Sequence, residues 1–295
     1  MKLFLNNNLI HAKEAMVSVF DHGFLYGIGL FETFRTYNGI PFLLDEHLTR
    51  LQQGCEQLGI KYVIDKSTLL VQIAELLDEH HLDDGYFRLT VTAGEGELGL
   101  PSTDYCNPTI MLMTKALPPD KTEQEWRKGK TAVCLNTRRN SPEGTIRYKS
   151  LHYMNNMLAK RELRLQVDSK YAQAEGLMLN DNNQLTEGIV SNLFFRKGEM
   201  VCTPAINTGI LPGVTRAYVL RLCKQEQLSV EEGYYSWSDL ESADEIWLTN
   251  SIQEIMPVTC LVKSNGEQLT VSHGTAGDYT ARLYNTFHRN KPRNN

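Results

Sequence analysis

The sequence predicts an α+β protein built from two domains. Its 295 residues, 41% of them apolar, are enough for one large core or two smaller ones, and typical domain sizes favour two. Strand-like and helix-like segments follow one another without the regular alternation of a doubly wound sheet. Paired prolines and mixed charge in ALPPDKTEQEW mark a crossing. The division expected is a small domain over 1–117, a linker over 118–128 and a larger domain over 129–295.

In the first domain, FETFRTYNGIPFLL reads as two β-rich runs joined at Asn38-Gly39, where both residues tolerate positive φ. Asp45 is the expected N-cap of a helix carrying Leu48, Leu51, Cys55 and Leu58 on one side, closed by Gly59. A second helical pattern, STLLVQIAELLDEHHL, precedes the alternating strand YFRLTVTAG and the strand PTIMLMTK. The second domain opens with the strand TAVCLNTR, reaches Lys149 and continues into a helix over 151–165. Strand pairs turned at Asn182-Asn183 and Lys197-Gly198 come next, then a helix over 215–227. Strands over 245–249 and 256–262, a turn at Asn265-Gly266 and a helix over 276–288 complete the chain.

Net charge is −5, with basic residues dispersed among acidic ones, so no footprint for a nucleic-acid backbone or an anionic membrane is present. The expected partner is a small-molecule substrate. The apolar start MKLFL is broken at Asn6, too early for a signal peptide or a spanning helix, and the expected location is the cytoplasm. Six cysteines lie far apart with no CxxC pair, which fits reduced thiols and indicates no metal site.

Three features carry chemistry. Lys149 follows Arg147 with no carboxylate in the preceding five positions, a setting in which a desolvated amine becomes neutral and condenses with an aldehyde. Glu187, in TEGIVSNLFF, is placed in a turn leading into an apolar strand, so a buried carboxylate there needs a cationic partner such as a protonated pyridine nitrogen. In ILPGVTR, Gly213 precedes a helix, so the amides of Val214 and Thr215 and the threonine hydroxyl can converge on a phosphate at its positive end. A surface lysine, a solvated acid and a turn with an N-cap are the plainer readings of each alone. Taken in order, they are what a pyridoxal 5'-phosphate enzyme requires.

The set FDHGFLYGIGLFETFR, EHLTRL, IRYKSLHYMNN, LTEGIVSNLFF, ILPGVTR and IWLTNSIQEIMPV resembles the class IV aminotransferases, over almost the whole chain. That resemblance implies the two-domain α+β fold of D-amino-acid aminotransferases, with the cofactor between the domains of a homodimer. It implies Lys149 as the lysine that holds the cofactor aldehyde and Glu187 as the partner of the ring nitrogen. Arg50, Val214, Thr215 and Ser251 are implied as phosphate binders; the parts of Arg50 and Ser251 do not follow from spacing.

Within that family, Thr33 and Asn250 resemble the lyase pattern, and the arginine with which D-amino-acid aminotransferases grip a carboxylate is missing from VTAG, at or next to Ala93. The motifs are most similar to bacterial aminodeoxychorismate lyases, which implies conversion of 4-amino-4-deoxychorismate to 4-aminobenzoate, a folate precursor, and pyruvate. Lys149 and Thr33 are then the catalytic residues, with Asn250, Tyr26 and Arg88, beside His22, on the substrate side. Met154 stands where many transaminases of the family have a tyrosine, and Tyr153 does not inherit that role. An aminotransferase acting on D-alanine or branched-chain amino acids, and a catalytically silent binding protein, are the alternatives.

Overall fold

The computed structural model describes residues 1–166 and 174–292, which form two compact units. The first holds Met1–Pro118 and Tyr148–His152, together with Lys291 and Pro292; the second holds Pro119–Arg147 and Tyr153–Asn290. The segment with Lys149 therefore belongs to the first unit, inside a stretch of sequence assigned above to the larger domain.

The first unit contains β1 (Lys2–Leu5), β2 (Asn8–His11), the single turn α1 (His22–Leu25), β3 (Gly29–Tyr37), β4 (Ile40–Pro41), α2 (Leu44–Gln57), α3 (Lys66–Glu79), β5 (Gly85–Thr92) and β6 (Thr109–Ala116). The strands form one antiparallel sheet in the order β2-β1-β6-β5-β3-β4. Asn38 and Gly39 both have positive φ at the β3–β4 turn, as their sequence demands. Leu48, Leu51 and Cys55 of α2 and Leu69, Ile73 and Leu76 of α3 pack with Leu30, Phe34, Phe87, Leu89 and Val91 in one core. Because side chains alternate along a strand, Phe31 and Thr33 take the other face of β3 from Leu30 and Phe34.

Helix α2 starts two residues earlier than expected. Its N-cap is Leu43, at φ 55° and with no side-chain hydrogen bond, while Asp45 lies in the first turn and binds Lys66 Nζ at 2.5 Å. Burial of Leu44 and Leu48 outweighs the capping preference of Asp45.

The second unit contains α4 (Glu123–Arg127), β7 (Lys130–Cys134), α5 (Met154–Gln166), β8 (Glu175–Leu179), β9 (Leu185–Gly188), β10 (Asn192–Lys197), β11 (Met200–Pro204), α6 (Val214–Gln225), β12 (Ser229–Gly233), α7 (Trp237–Glu241), β13 (Glu245–Asn250), β14 (Glu254–Val262), β15 (Gln268–Thr270) and α8 (Asp278–Arg289). Helix α4 lies within the stretch expected to be a linker, and buried Trp126 anchors it by donating to the Ile255 carbonyl at 2.9 Å. Strands run β12-β11-β10-β13-β14-β7-β8-β9, and β9 pairs back onto β10, so β10, β13, β14, β7, β8 and β9 close into a ring. The closing register pair is Glu187 and Asn192. Ala132, Leu177, Leu193, Leu248 and Val258 gather in the main core, and Ala159 and Leu163 of α5 pack with Val133, Leu135 and Met178 in a second. Helix α5 begins at Met154, three residues later than expected, and Leu151 N–H is engaged by the Gly29 carbonyl at 3.0 Å.

Candidate active site

In the first unit, extended backbone ties Lys149 to β3. Phe31 N–H donates to the Lys149 carbonyl at 2.9 Å and Leu151 N–H to the Gly29 carbonyl at 3.0 Å, with Ser150 bridged to Leu30. Lys149 is half-buried, with Nζ 4.5 Å from the centroid of the Phe31 ring. Arg88 Cζ lies 3.6 Å from the same centroid. Thr33, two residues along β3 on the Phe31 face, is the register partner of Arg88 on β5. Lys149, Thr33 and Arg88 are thus drawn together around one aromatic ring. Arg147 plays no part there: its guanidinium binds the Gly209 carbonyl at 2.6 Å and the Asn140 carbonyl in the second unit. Burial, then Arg139, push its pKa down to about 10.

Arg50 holds the Glu32 carboxylate in a fork, Nε to Oε1 at 2.7 Å and Nη2 to Oε2 at 2.6 Å. His47 Nδ1 lies 2.6 Å from Glu32 Oε2, with both side chains 1% exposed. Burial works to raise the Glu32 pKa, but the charge of Arg50 and the His47 hydrogen bond outweigh it and hold it to about 2. Burial foremost depresses His47, and the nearby charges of Arg50 and Lys149 add to this. A carboxylate is acceptor-only, so neutral His47 carries its proton on Nδ1 and donates it. Neither Glu32 nor His47 was signalled by the sequence.

Glu187 lies in β9 just before the 188–191 turn and is 5% exposed. Its cationic partner is already present: Arg139 Nε donates to Oε1 at 2.8 Å. Oε2 accepts from Asn192 Nδ2 at 3.1 Å and from Leu211 N–H at 2.9 Å. Arg139 Nη1 also donates to Asn155 Oδ1, at 2.7 Å, in the first turns of α5. The only hint of this in the sequence is an arginine pair after the strand TAVCLNT; no spacing relates it to Glu187.

Helix α6 starts at Val214 with Gly213 as N-cap and no side-chain capping bond. Thr215 Oγ1 lies 3.3 Å from Ser251 Oγ, which the β13–β14 turn supplies. Asn250 Oδ1 holds that turn by accepting from Ile252 and Gln253 N–H at 3.0 and 2.7 Å. A Cβ on Gly213 would fall 2.0 Å from Asn192 Oδ1, so only glycine fits. Amides at a helix start, two converging hydroxyls and a glycine without a Cβ are groups that can together receive an anion. Thr249 Oγ1, in the residue facing Asn192 across β10 and β13, is buried without a hydrogen-bond partner.

Comparison with known proteins places these residues in a family. A profile described as amino-transferase class IV matches residues 29–261. The chain belongs to this family. It is 41% identical over 265 residues to aminodeoxychorismate lyase of Bacillus subtilis strain 168, covering 89% of this chain and 87% of that protein. It is 31% identical over 285 residues to D-alanine aminotransferase of Bacillus licheniformis, covering 96% and 94%. The crystal structure of 4-amino-4-deoxychorismate lyase from Pseudomonas aeruginosa aligns with a TM-score of 0.83 at 29% identity, covering 98% of each chain. Class IV enzymes depend on pyridoxal phosphate.

Other positions compared within the class IV family take plainer roles. His22 is 1% exposed, with Nδ1 on the Tyr105 hydroxyl at 2.9 Å and Nε2 on the Glu97 carbonyl at 2.8 Å, which makes it a satisfied core histidine. The Tyr26 hydroxyl accepts from Gly99 N–H at 2.8 Å, and Tyr26 is 36% exposed. Ala93 is buried in the first core. Met154 is 71% exposed at the start of α5, and Tyr153 is half-buried beside it.

Proposed function

We propose that the chain is a pyridoxal 5'-phosphate-dependent lyase that converts 4-amino-4-deoxychorismate to 4-aminobenzoate and pyruvate. The observation that carries this reading is the grouping of Lys149, Thr33 and Arg88 around Phe31, supported by the 41% identity to an aminodeoxychorismate lyase. When bound, the cofactor supplies an electrophilic aldehyde and an electron-withdrawing ring. Lys149 would hold the aldehyde and Glu187 the ring nitrogen; the amides of Val214 and Thr215, with the hydroxyls of Thr215 and Ser251, would hold the phosphate. Arg50 is assigned to the phosphate as well, its Nε and Nη2 being fixed by Glu32.

In the reaction the Lys149 amine removes the proton from C4 of the substrate, and Thr33 orients or protonates the departing enolpyruvyl oxygen. The carbon–oxygen bond breaks, the ring becomes aromatic and enolpyruvate tautomerises to pyruvate. The two products sum to the substrate, so no oxidant or water is consumed. Arg88 offers a guanidinium for one of the two substrate carboxylates.

Two copies form the active protein in this reading. Met16, Val17, Val19, Phe20 and Phe24 are exposed, as are Leu98 and Leu100 on the segment that the Asp21–Glu95 bridge joins to them, apolar side chains that a second copy would cover. The six free cysteines fit the reducing cytoplasm, and among the described residues no helix is long and apolar enough to cross a membrane. Product analysis tests the reaction: 4-aminobenzoate and pyruvate in equal amounts are expected from aminodeoxychorismate. Consumption of D-alanine or leucine with 2-oxoglutarate, and no 4-aminobenzoate, would establish the aminotransferase alternative.

A further inference from the structure

We infer that Asn192 is a positioning residue which holds the ring-binding acid and the phosphate cradle at one fixed separation; this rests on the cofactor reading above. Its side chain is 5% exposed and engaged at both ends. The amide nitrogen donates to Glu187 Oε2 at 3.1 Å and to the Leu211 carbonyl at 2.9 Å. The amide oxygen lies against Gly213, where a Cβ would approach it to 2.0 Å. Leu211 N–H closes a second link, donating to the same Glu187 oxygen at 2.9 Å.

One planar side chain therefore touches the acid with its donor end and the residue opening α6 with its acceptor end. The two donations need the amide N–H groups, and the close seat against Gly213 needs a side chain of this length. Aspartate would set a second carboxylate against Glu187, and an apolar side chain would lose both donations. The backbone fixes the joint further, because Asn192 pairs with Glu187 across β9 and β10 and with Thr249 across β10 and β13, two residues before Ser251. Acid, cradle and cradle hydroxyl thus meet at a single strand position. A ligand that carries both a pyridine nitrogen and a phosphate gains from such a frame, since placing one end places the other.

This separates Asn192 from a merely structural residue. Full-length protein freed of cofactor is titrated with pyridoxal, with inorganic phosphate and with pyridoxal phosphate, and the three dissociation constants are compared. In Asn192→Ala, pyridoxal phosphate is expected to weaken by about 10-fold or more beyond the product of the losses for the two fragments. Gly213→Ala presses on the same joint from the other side and is expected to show the same excess, so it carries the test if Asn192→Ala does not fold. A loss no larger than that product, in a folded variant, overturns the inference and leaves the cofactor reading intact. Failure of the unmodified protein to bind pyridoxal phosphate overturns both.

Discussion

The guanidinium of Arg139 donates through Nε to Glu187 Oε1 at 2.8 Å, and both side chains are 6% exposed. With Asn192 and Leu211 on the other oxygen, three of the roughly four acceptor positions of the carboxylate are filled, and the proposed ring N–H would take the fourth. Arg139→Met leaves a buried acid without its cation. The expected cost is about 3–5 kcal/mol of stability, read by denaturant unfolding, with activity reduced alongside it. Arg139→Lys restores the charge and part of the stability. Unchanged stability in Arg139→Met contradicts the pairing.

Much of this geometry was open to sequence reading because it rests on local rules. Asn38-Gly39 set a hairpin through positive φ, and the periodic leucines of α2 and α3 set their buried faces. Gly213 ahead of Val214 marked a helix start, which the structure places there. The pairings that were missed join residues distant in sequence. Nothing near Glu187 points to Arg139, and nothing near Glu32 points to His47 and Arg50, because those contacts follow from how strands are ordered and how α2 packs on β3. Asp45 failed as a cap since burial of Leu44 decided where α2 begins. Asn250 was expected on the substrate side, and what the structure gives it is the β13–β14 turn, held through its Oδ1, a role no local pattern announced.

Glu32 should give the first unit a dependence on acid. Its folded pKa of about 2 lies below the ordinary 4.5, so the stability it supplies is complete above the ordinary value and is lost as pH falls through the folded one. Glu32→Gln is expected to cost about 3–5 kcal/mol at neutral pH, with the gap to the unmodified protein closing between about pH 4.5 and 2. Parallel unfolding curves across that window would contradict it.

Thr33→Val tests the leaving-group role. Removing the hydroxyl while keeping the shape is expected to lower kcat by about 10²-fold or more, with KM for aminodeoxychorismate changed little and the visible spectrum of the holoenzyme unchanged. A variant with full kcat would remove Thr33 from the mechanism.

The exposed apolar side chains give a prediction about assembly. Phe24 is 72% and Leu100 92% exposed, and Phe24→Asp with Leu100→Glu is expected to convert a dimer to a monomer in light scattering. A monomeric unmodified protein, or a dimer that survives both substitutions, would assign these side chains another role.

In the proposed reaction everything rests on the amine of Lys149 carrying the cofactor. Borohydride reduction fixes a carbonyl compound on the amine that holds it, and peptide mass mapping then names the residue. A pyridoxyl-phosphate mass is expected on the peptide containing Lys149, and its loss with all lyase activity in Lys149→Ala. A label on another lysine, or none on a protein that still makes 4-aminobenzoate, would contradict it.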